Sequence, residues 1–182
     1  PESKLIQHYL YENPKEAARE TAKREPIVVG ISLYIWNNLW FEDFSKELAS
    51  LSPNTIIFAG GPQVTSFIGS FPSYLHFAII GEGEVSTIEA LKKIDFSLPS
   101  SAKEIYGPGI ISQKYPISEA SPLPDLNILP SVFLSGTADP IIDQYEDVLW
   151  EMTRGCPYHC AFCFESRGKR TVRNYPLERI EQ

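Results

Sequence analysis

Short apolar runs that alternate with helix-like segments constrain the fold of this chain more than any other feature. The runs cover residues 27–33, 55–59 and 77–80, and each is apolar on both faces. Runs of this kind are typical of strands buried in the middle of a parallel sheet. Helices are predicted over residues 14–25, 39–51 and 85–94. This alternation predicts an α/β fold with a parallel sheet and right-handed crossovers.

The ends of the three predicted strands are the first candidate binding region. Ligands of open parallel sheets bind beyond the carboxyl ends of the strands. The segments that follow the strands here are 32–38, 60–66 and 81–84. We expect them to lie side by side on one edge of the sheet.

Charge and proline content divide the chain. Residues 1–153 contain ten basic and twenty acidic side chains, whereas residues 154–182 contain six basic and three acidic ones. Seven of the 15 prolines lie within 99–140, which predicts an extended linker with a short hairpin at 105–111. Another strand is predicted over 147–153. The sequence therefore predicts three parts: an α/β domain at 1–98, a linker at 99–146 and the first part of a further domain at 147–182.

Composition excludes several functional classes. No apolar run approaches the ~20 residues that cross a bilayer, and the first residues lack the pattern of a signal peptide, so we expect a cytoplasmic protein without a membrane partner. Three cysteines among 182 residues argue against a disulfide scaffold. The net charge of −7 and a single short basic run, 167–173, argue against nucleic-acid binding.

All three cysteines form one motif, with the spacing C-x3-C-x2-C. They are Cys156, Cys160 and Cys163, and Phe162 precedes the last. Three thiolates in one compact loop suit a [4Fe–4S] cluster whose fourth iron has no protein ligand. A zinc site with His159 and a disulfide with one free thiol are the alternatives. Zinc is less favoured because His159 abuts Cys160, whereas zinc sites usually draw ligands from two separated knuckles.

The cysteine motif, after a predicted strand and the turn Arg154-Gly155, resembles the signature of the radical S-adenosylmethionine (SAM) enzymes. The resemblance implies that Cys156, Cys160 and Cys163 bind the cluster and that Phe162 lies in the cofactor site. In that family the fourth iron binds SAM, and one electron cleaves SAM to a 5′-deoxyadenosyl radical. A flavodoxin or ferredoxin is the kind of electron donor implied, with a small-molecule substrate of unknown identity.

The upstream half resembles the cobalamin-binding domain that precedes the radical SAM barrel in the cobalamin-dependent members. The match rests on the first strand, on the glycine motifs after the next two strands, and on the segment Tyr34-Ile35-Trp36-Asn37. It implies a Rossmann-like (flavodoxin-like) sheet, then a linker and the first strand and cluster loop of a partial (β/α) barrel. The cofactor-binding residues implied are Ser32, Tyr34, Trp36, Gly60, Gly61, Pro62, Thr65, Gly81, Glu82, Gly83 and Glu84.

Two departures from that family qualify the resemblance. The Asp-x-His-x-x-Gly motif that supplies an axial histidine to cobalt in many members is absent, and we expect His8 and His76 to be surface or core residues. By the resemblance, the first β-α unit and the later barrel strands are also missing, so we expect a chain truncated at both ends and inactive by itself. No catalytic side chain is assigned. The alternative is a cobalamin-binding module without its own catalysis.

Overall fold

The computed structural model of the protein describes residues 11–119, 125–158, 160–163 and 172–181. The chain divides into two compact units, Pro1–Pro122 and Leu123–Gln182. The first unit contains α1 (Pro14–Ala22), β1 (Val28–Ser32), α2 (Asn38–Leu51), β2 (Ile56–Gly60), β3 (Phe77–Ile79), α3 (Gly83–Lys92) and β4 (Ile110–Ser112), with 3-10 turns at Pro62–Phe67 and Pro99–Lys103. The second contains a 3-10 turn at Leu126–Ile128, α4 (Asp139–Ile142), β5 (Thr153–Arg154), β6 (Arg173–Asn174) and α5 (Leu177–Ile180).

The first unit is built on a four-stranded sheet in the order β1-β2-β3-β4. The strands β1, β2 and β3 are parallel, and β4 is antiparallel to β3. The predicted α/β fold is confirmed in this unit, and the carboxyl ends of the three parallel strands lie next to one another, as expected. The mostly parallel sheet is consistent with a Rossmann-like cobalamin-binding domain.

Both faces of the sheet are covered, which explains the unbroken apolar runs. Along β2, Ile57 joins the cluster with α1 and α2, whereas Ile56 joins the cluster with α3 and the 99–110 segment. The side chains thus alternate between two buried faces. Gly30 of β1 has a separate role, because a Cβ there would lie 2.7 Å from the ring of Phe58.

Helix α1 begins where the sequence predicts. The Asn13 Oδ1 atom accepts hydrogen bonds from the backbone N–H groups of Lys15 (2.9 Å) and Glu16 (3.3 Å), and Pro14 occupies the first position. This is a side-chain cap with proline in the first turn. The helix ends three residues earlier than predicted, because Glu25 adopts a left-handed conformation (φ +51°) that a helix does not continue.

The segment 99–119 differs from the predicted linker, since it belongs to the sheet and its core. Strand β4 completes the sheet, and Ala102, Ile105 and Ile110 are buried against β3 and α3. The buried Ser112 hydroxyl donates to the Ile105 carbonyl at 2.8 Å. The prolines here mark turns between packed pieces, so the first unit extends to residue 122 rather than 98.

The predicted strand 147–153 is shorter in the structure. Only Thr153 and Arg154 form a ladder, antiparallel to Asn174 and Arg173. The preceding residues expose large apolar side chains, among them Leu149 (97%) and Trp150 (54%). Within the described residues, no helix combines the length and the apolar character that crossing a bilayer requires.

His76 is a core residue, as expected for a histidine outside any ligand motif, and His8 lies outside the described residues. The backbone N–H of Ile57 donates to the ring nitrogen His76 Nδ1 at 3.1 Å. The backbone N–H of His76 donates to the Ile57 carbonyl at 2.8 Å. Burial lowers the pKa of His76 to about 4, and the charge of Lys103 contributes to this lowering. The folded chain therefore holds this ring neutral.

We predict that His76 makes the fold acid-sensitive. Between about pH 6.5 and pH 4 the unfolded chain takes up a proton on this ring and the folded chain does not, so stability falls as pH falls through that window, by as much as about 3 kcal/mol. Above the window His76 contributes no pH dependence. A His76→Asn variant keeps an acceptor for the Ile57 N–H and loses the titration.

Urea unfolding at about pH 7 and pH 4.5 measures the effect. The unmodified chain should lose more stability than the variant between the two conditions. His8 and His159 are present in both proteins, so equal losses would contradict the assignment of this sensitivity to His76.

Candidate cofactor-binding sites

The exits of β1 and β2 interlock at the carboxyl edge of the sheet. The Leu33 N–H donates to the Gly60 carbonyl at 2.7 Å, and the Gln63 N–H donates to the Leu33 carbonyl at 3.2 Å. Leu33 itself is buried (4% exposed), so the two loops leave the sheet from a fixed point. We name the segments 32–38, 60–66 and 81–84 together the carboxyl edge.

The two glycines after β2 are required for different reasons. Gly61 has a φ of +96°, and a Cβ there would lie 2.5 Å from the Leu33 carbonyl oxygen. Glycine is therefore needed at this position by the chain's own fold. At Gly60 a Cβ would meet nothing within 4 Å. Gly60 thus leaves bare backbone beside open space, which a flat ligand can approach.

An aromatic pair lies in the segment that follows β1, the strand next to β2. The rings of Tyr34 and Trp36 are stacked, with centroids 4.6 Å apart and an interplanar angle of 10°. Trp36 is 67% exposed, so it does not belong to the core of the first unit. Ile35 and Leu39 are also largely exposed. The carboxyl edge therefore presents an apolar, partly aromatic surface of the kind that marks binding sites.

The remaining predicted residues of the edge have local structural roles. The Thr65 hydroxyl donates to the Pro62 carbonyl at 2.9 Å, within one 3-10 turn. Gly81 is left-handed (φ +77°) and Glu82 is the N-terminal flanking residue of α3, although its side chain does not cap the helix. Glu84 lies in the first turn of α3, where a negative charge is favoured.

Gly83 contrasts with Gly61. A Cβ there would lie 3.6 Å from Thr87 Oγ1, an ordinary contact, so the fold does not demand glycine at this position. None of these contacts tests ligand binding by the edge, which stays a prediction.

Asn37 is the residue that sequence reasoning missed. The sequence places Asn37 in the segment after the first strand and indicates no separate role for it. The Asn37 Nδ2 group donates to the Ser32 carbonyl at 3.0 Å, and Oδ1 accepts from the Tyr34 N–H at 2.8 Å. An asparagine directly before a helix normally signals an N-cap, and that signal conceals the role seen here.

A cavity of about 460 Å³ lies at the opposite, amino end of the sheet. Its lining includes Ile27, Thr55 and Phe96. This cavity shares no lining residue with the carboxyl edge, so the two regions are separate candidates.

The cysteine loop of the second unit follows β5. Gly155 is left-handed (φ +98°), and the Cys163 N–H donates to the Cys160 carbonyl at 3.0 Å, which closes a turn around the last two cysteines. None of the three cysteines forms a disulfide: Cys156 and Cys163 are half-buried, and Cys160 is exposed. The disulfide alternative is therefore not seen.

The cysteine side chains do not form a finished metal site in the structure. Among the described residues, His, Cys, Asp and Glu side chains form no group of three able to hold a metal ion. The donor set nevertheless fits an iron–sulfur cluster, because three reduced thiols lie within eight consecutive positions. Metal binding stays a prediction that rests on the spacing.

The start of the loop is held by a compact set of contacts. Arg154 donates from Nε and Nη2 to the two carboxylate oxygens of Glu151, at 2.7 and 2.9 Å. The Tyr175 N–H donates to the Met152 carbonyl at 3.0 Å, which extends the β5–β6 pairing by one residue. A bidentate arginine–carboxylate pair fixes orientation as well as distance.

Comparison with known proteins relates nearly the whole chain to two methyltransferases. It is 31% identical over 171 residues to the cobalamin-dependent radical SAM methyltransferase TokK of Streptomyces tokunonensis, and 29% identical over 172 residues to the 2-(S-pantetheinyl)-carbapenam-3-carboxylate methyltransferase of Streptantibioticus cattleyicolor. The matches cover 86% and 87% of this chain and 25% of each relative. The chain thus spans about a quarter of the length of these relatives. No family model matches the sequence.

The different roles of the paired glycines give a direct stability test. Gly61→Ala should destabilise the first unit by about 2–4 kcal/mol, because it adds both a left-handed alanine and a contact with backbone. Gly60→Ala, one residue away, should change stability by less than about 0.5 kcal/mol. Urea unfolding of the two variants measures the difference, and similar losses at both positions would contradict the interlock described above.

Proposed function

Since the chain is homologous to part of the cobalamin-dependent radical SAM methyltransferases, we propose that it binds cobalamin on the carboxyl edge and a [4Fe–4S] cluster in the cysteine loop. It would act within a longer enzyme that transfers a methyl group, or performs other radical chemistry, on a small molecule. One observation carries the proposal: the bare backbone at Gly60 and the stacked Tyr34–Trp36 pair stand at the carboxyl ends of two neighbouring strands, on the edge where parallel sheets bind ligands.

The residues of the carboxyl edge suit a flat macrocycle. Gly60 lets the ring approach backbone without meeting a side chain, and Trp36 offers a broad apolar face beside it. The sequence lacks the motif that supplies an axial histidine. The lower face of the cofactor would therefore meet water or a side chain such as Tyr34.

The cysteine loop would hold the cluster through Cys156, Cys160 and Cys163. Phe162 is 93% exposed, so its ring is available to contact a bound nucleotide. When bound, cobalamin supplies a transferable methyl group, and the cluster with SAM supplies the radical. A flavodoxin or ferredoxin would deliver the electron. The protein's own part is to hold three thiols in one loop and to leave one iron free of protein ligands.

The second unit supports the proposal that a barrel begins here. Val148, Leu149, Trp150 and Met152 are each at least half exposed along one extended stretch before β5. Exposed apolar surface of this kind marks a face that another element covers. The relatives are about four times as long as the matched segment, so further chain could supply that element, and we assign this stretch to the first strand of a partial (β/α) barrel.

A binding module without catalysis is the second candidate. It is favoured by one observation: all three segments of the carboxyl edge belong to the first unit. Cobalamin binding would then be independent of the cysteine loop.

We predict that the edge binds cobalamin. Mixing the chain with hydroxocobalamin should shift the visible spectrum, and the cofactor should remain after desalting. Gly60→Val projects a branched side chain into the open space and should weaken binding by about tenfold or more, because about 1.4 kcal/mol of contact energy corresponds to that factor. Ser50→Val, at an exposed position of α2, should bind like the unmodified chain. Equal binding by the unmodified chain and both variants would show that cobalamin binds at a site other than the carboxyl edge. No binding by any of the three would reject the proposal.

We also predict that anaerobic reconstitution with iron and sulfide yields a brown protein with about four irons and four sulfides per chain. Cys160→Ala should lose the colour and the iron, because three thiolates are needed. His159→Ala should retain both, since histidine is not a ligand in this proposal. A colourless protein that binds zinc and depends on His159 would instead establish the zinc alternative.

A further inference from the structure

We propose that Asn37 is the positioning residue of the carboxyl edge: its side chain clamps the loop that presents the Tyr34–Trp36 pair to the cofactor. This inference rests on the proposed cobalamin function, and it assigns the order of the site to one side chain. Asn37 would not touch the reacting atoms. It would act through the loop that it closes.

The clamp consists of two side-chain hydrogen bonds to the preceding loop, one donated and one accepted by the Asn37 amide group. Nδ2 donates to the Ser32 carbonyl at the last residue of β1 (3.0 Å), and Oδ1 accepts from the Tyr34 N–H (2.8 Å). The Asn37 N–H also donates to the Tyr34 carbonyl at 3.2 Å. One residue thus joins the rigid strand end, the aromatic residue and the start of α2.

The side chain is diverted from its usual role to make this clamp. Asn37 is the N-terminal flanking residue of α2, a position where asparagine normally accepts a hydrogen bond from the first turn and adds about 1 kcal/mol. In this structure it makes no such cap bond. Helix α2 therefore begins without the stabilisation of a side-chain cap. The Asn37 side chain forms its hydrogen bonds with the preceding loop instead.

The clamp matters because the loop is otherwise held weakly beyond Leu33. Ile35 and Trp36 are 81% and 67% exposed, so burial does little to fix them. Because Asn37 Oδ1 holds the Tyr34 N–H, the backbone that carries the stacked Tyr34–Trp36 pair is fixed in place. Pre-ordering a binding loop lowers the entropy that ligand binding must otherwise lose.

Only asparagine meets both requirements at this length. The Ser32 carbonyl needs a donor and the Tyr34 N–H needs an acceptor. Ionised aspartate accepts but does not donate, and glutamine is one methylene longer. Asn37→Asp should therefore keep one of the two bonds, whereas Asn37→Ala removes both.

The test uses the 182-residue chain, with Ser50→Ala as the control at an exposed position of α2 outside the carboxyl edge. Amide hydrogen exchange of a peptide covering 33–37 reports on the loop without any ligand. Hydroxocobalamin titration, under conditions where circular dichroism shows every variant folded, reports on the site. Asn37→Ala should speed the loop exchange and weaken cobalamin binding by about tenfold each, which is the scale of two lost hydrogen bonds.

Asn37→Asp should show smaller changes of both kinds, and Ser50→Ala should match the unmodified chain within about twofold, since the Ser50 side chain makes neither bond of the clamp. Unchanged loop exchange in Asn37→Ala would overturn the clamp. Faster exchange with unchanged affinity would leave Asn37 merely structural and overturn its positioning role. If the unmodified chain binds no cobalamin, the proposed function fails, and the exchange measurement still shows separately whether the clamp exists.

Discussion

The interlock between Leu33 and the Gly60-Gly61 turn is the contact on which the rest of the site depends. The 2.7 Å hydrogen bond from the Leu33 N–H to the Gly60 carbonyl continues the parallel β1–β2 pairing beyond the strands. The left-handed Gly61 then turns the chain away from the sheet. It passes so close to the Leu33 carbonyl that a Cβ atom would not fit between them. Two loops therefore diverge from one fixed point, beside the open space at Gly60.

The candidate site follows from that divergence. One loop leaves bare backbone at Gly60. The other carries the stacked Tyr34–Trp36 pair, and the Asn37 side chain ties this second loop to the end of β1. A surface that combines open backbone with an ordered apolar face binds a flat ligand at low entropic cost. Under the proposed function, that flat ligand would be cobalamin.

Local patterns predicted the parallel strands and the start of α1 at Pro14, because apolar periodicity and helix-start signals are encoded within a few residues. The pairing of β4 was not predictable in this way, since a three-residue strand among prolines carries too little periodicity to reveal a partner more than thirty residues away. The functions of Gly61 and Asn37 were also hidden. Each depends on which backbone group lies opposite, which only the folded chain shows. The cysteine spacing indicated a ligand set, although the arrangement of the thiols is not deducible from spacing.

The central claim is that cobalamin lies on the carboxyl edge, and a hydrogen-exchange footprint tests it most directly. With hydroxocobalamin bound, peptides covering 32–38, 60–66 and 81–84 should exchange more slowly than in the free chain. Peptides covering 25–27 and 52–55, which line the cavity at the opposite end of the sheet, should be unchanged. Protection at the amino end, with none at the three strand exits, would contradict the account.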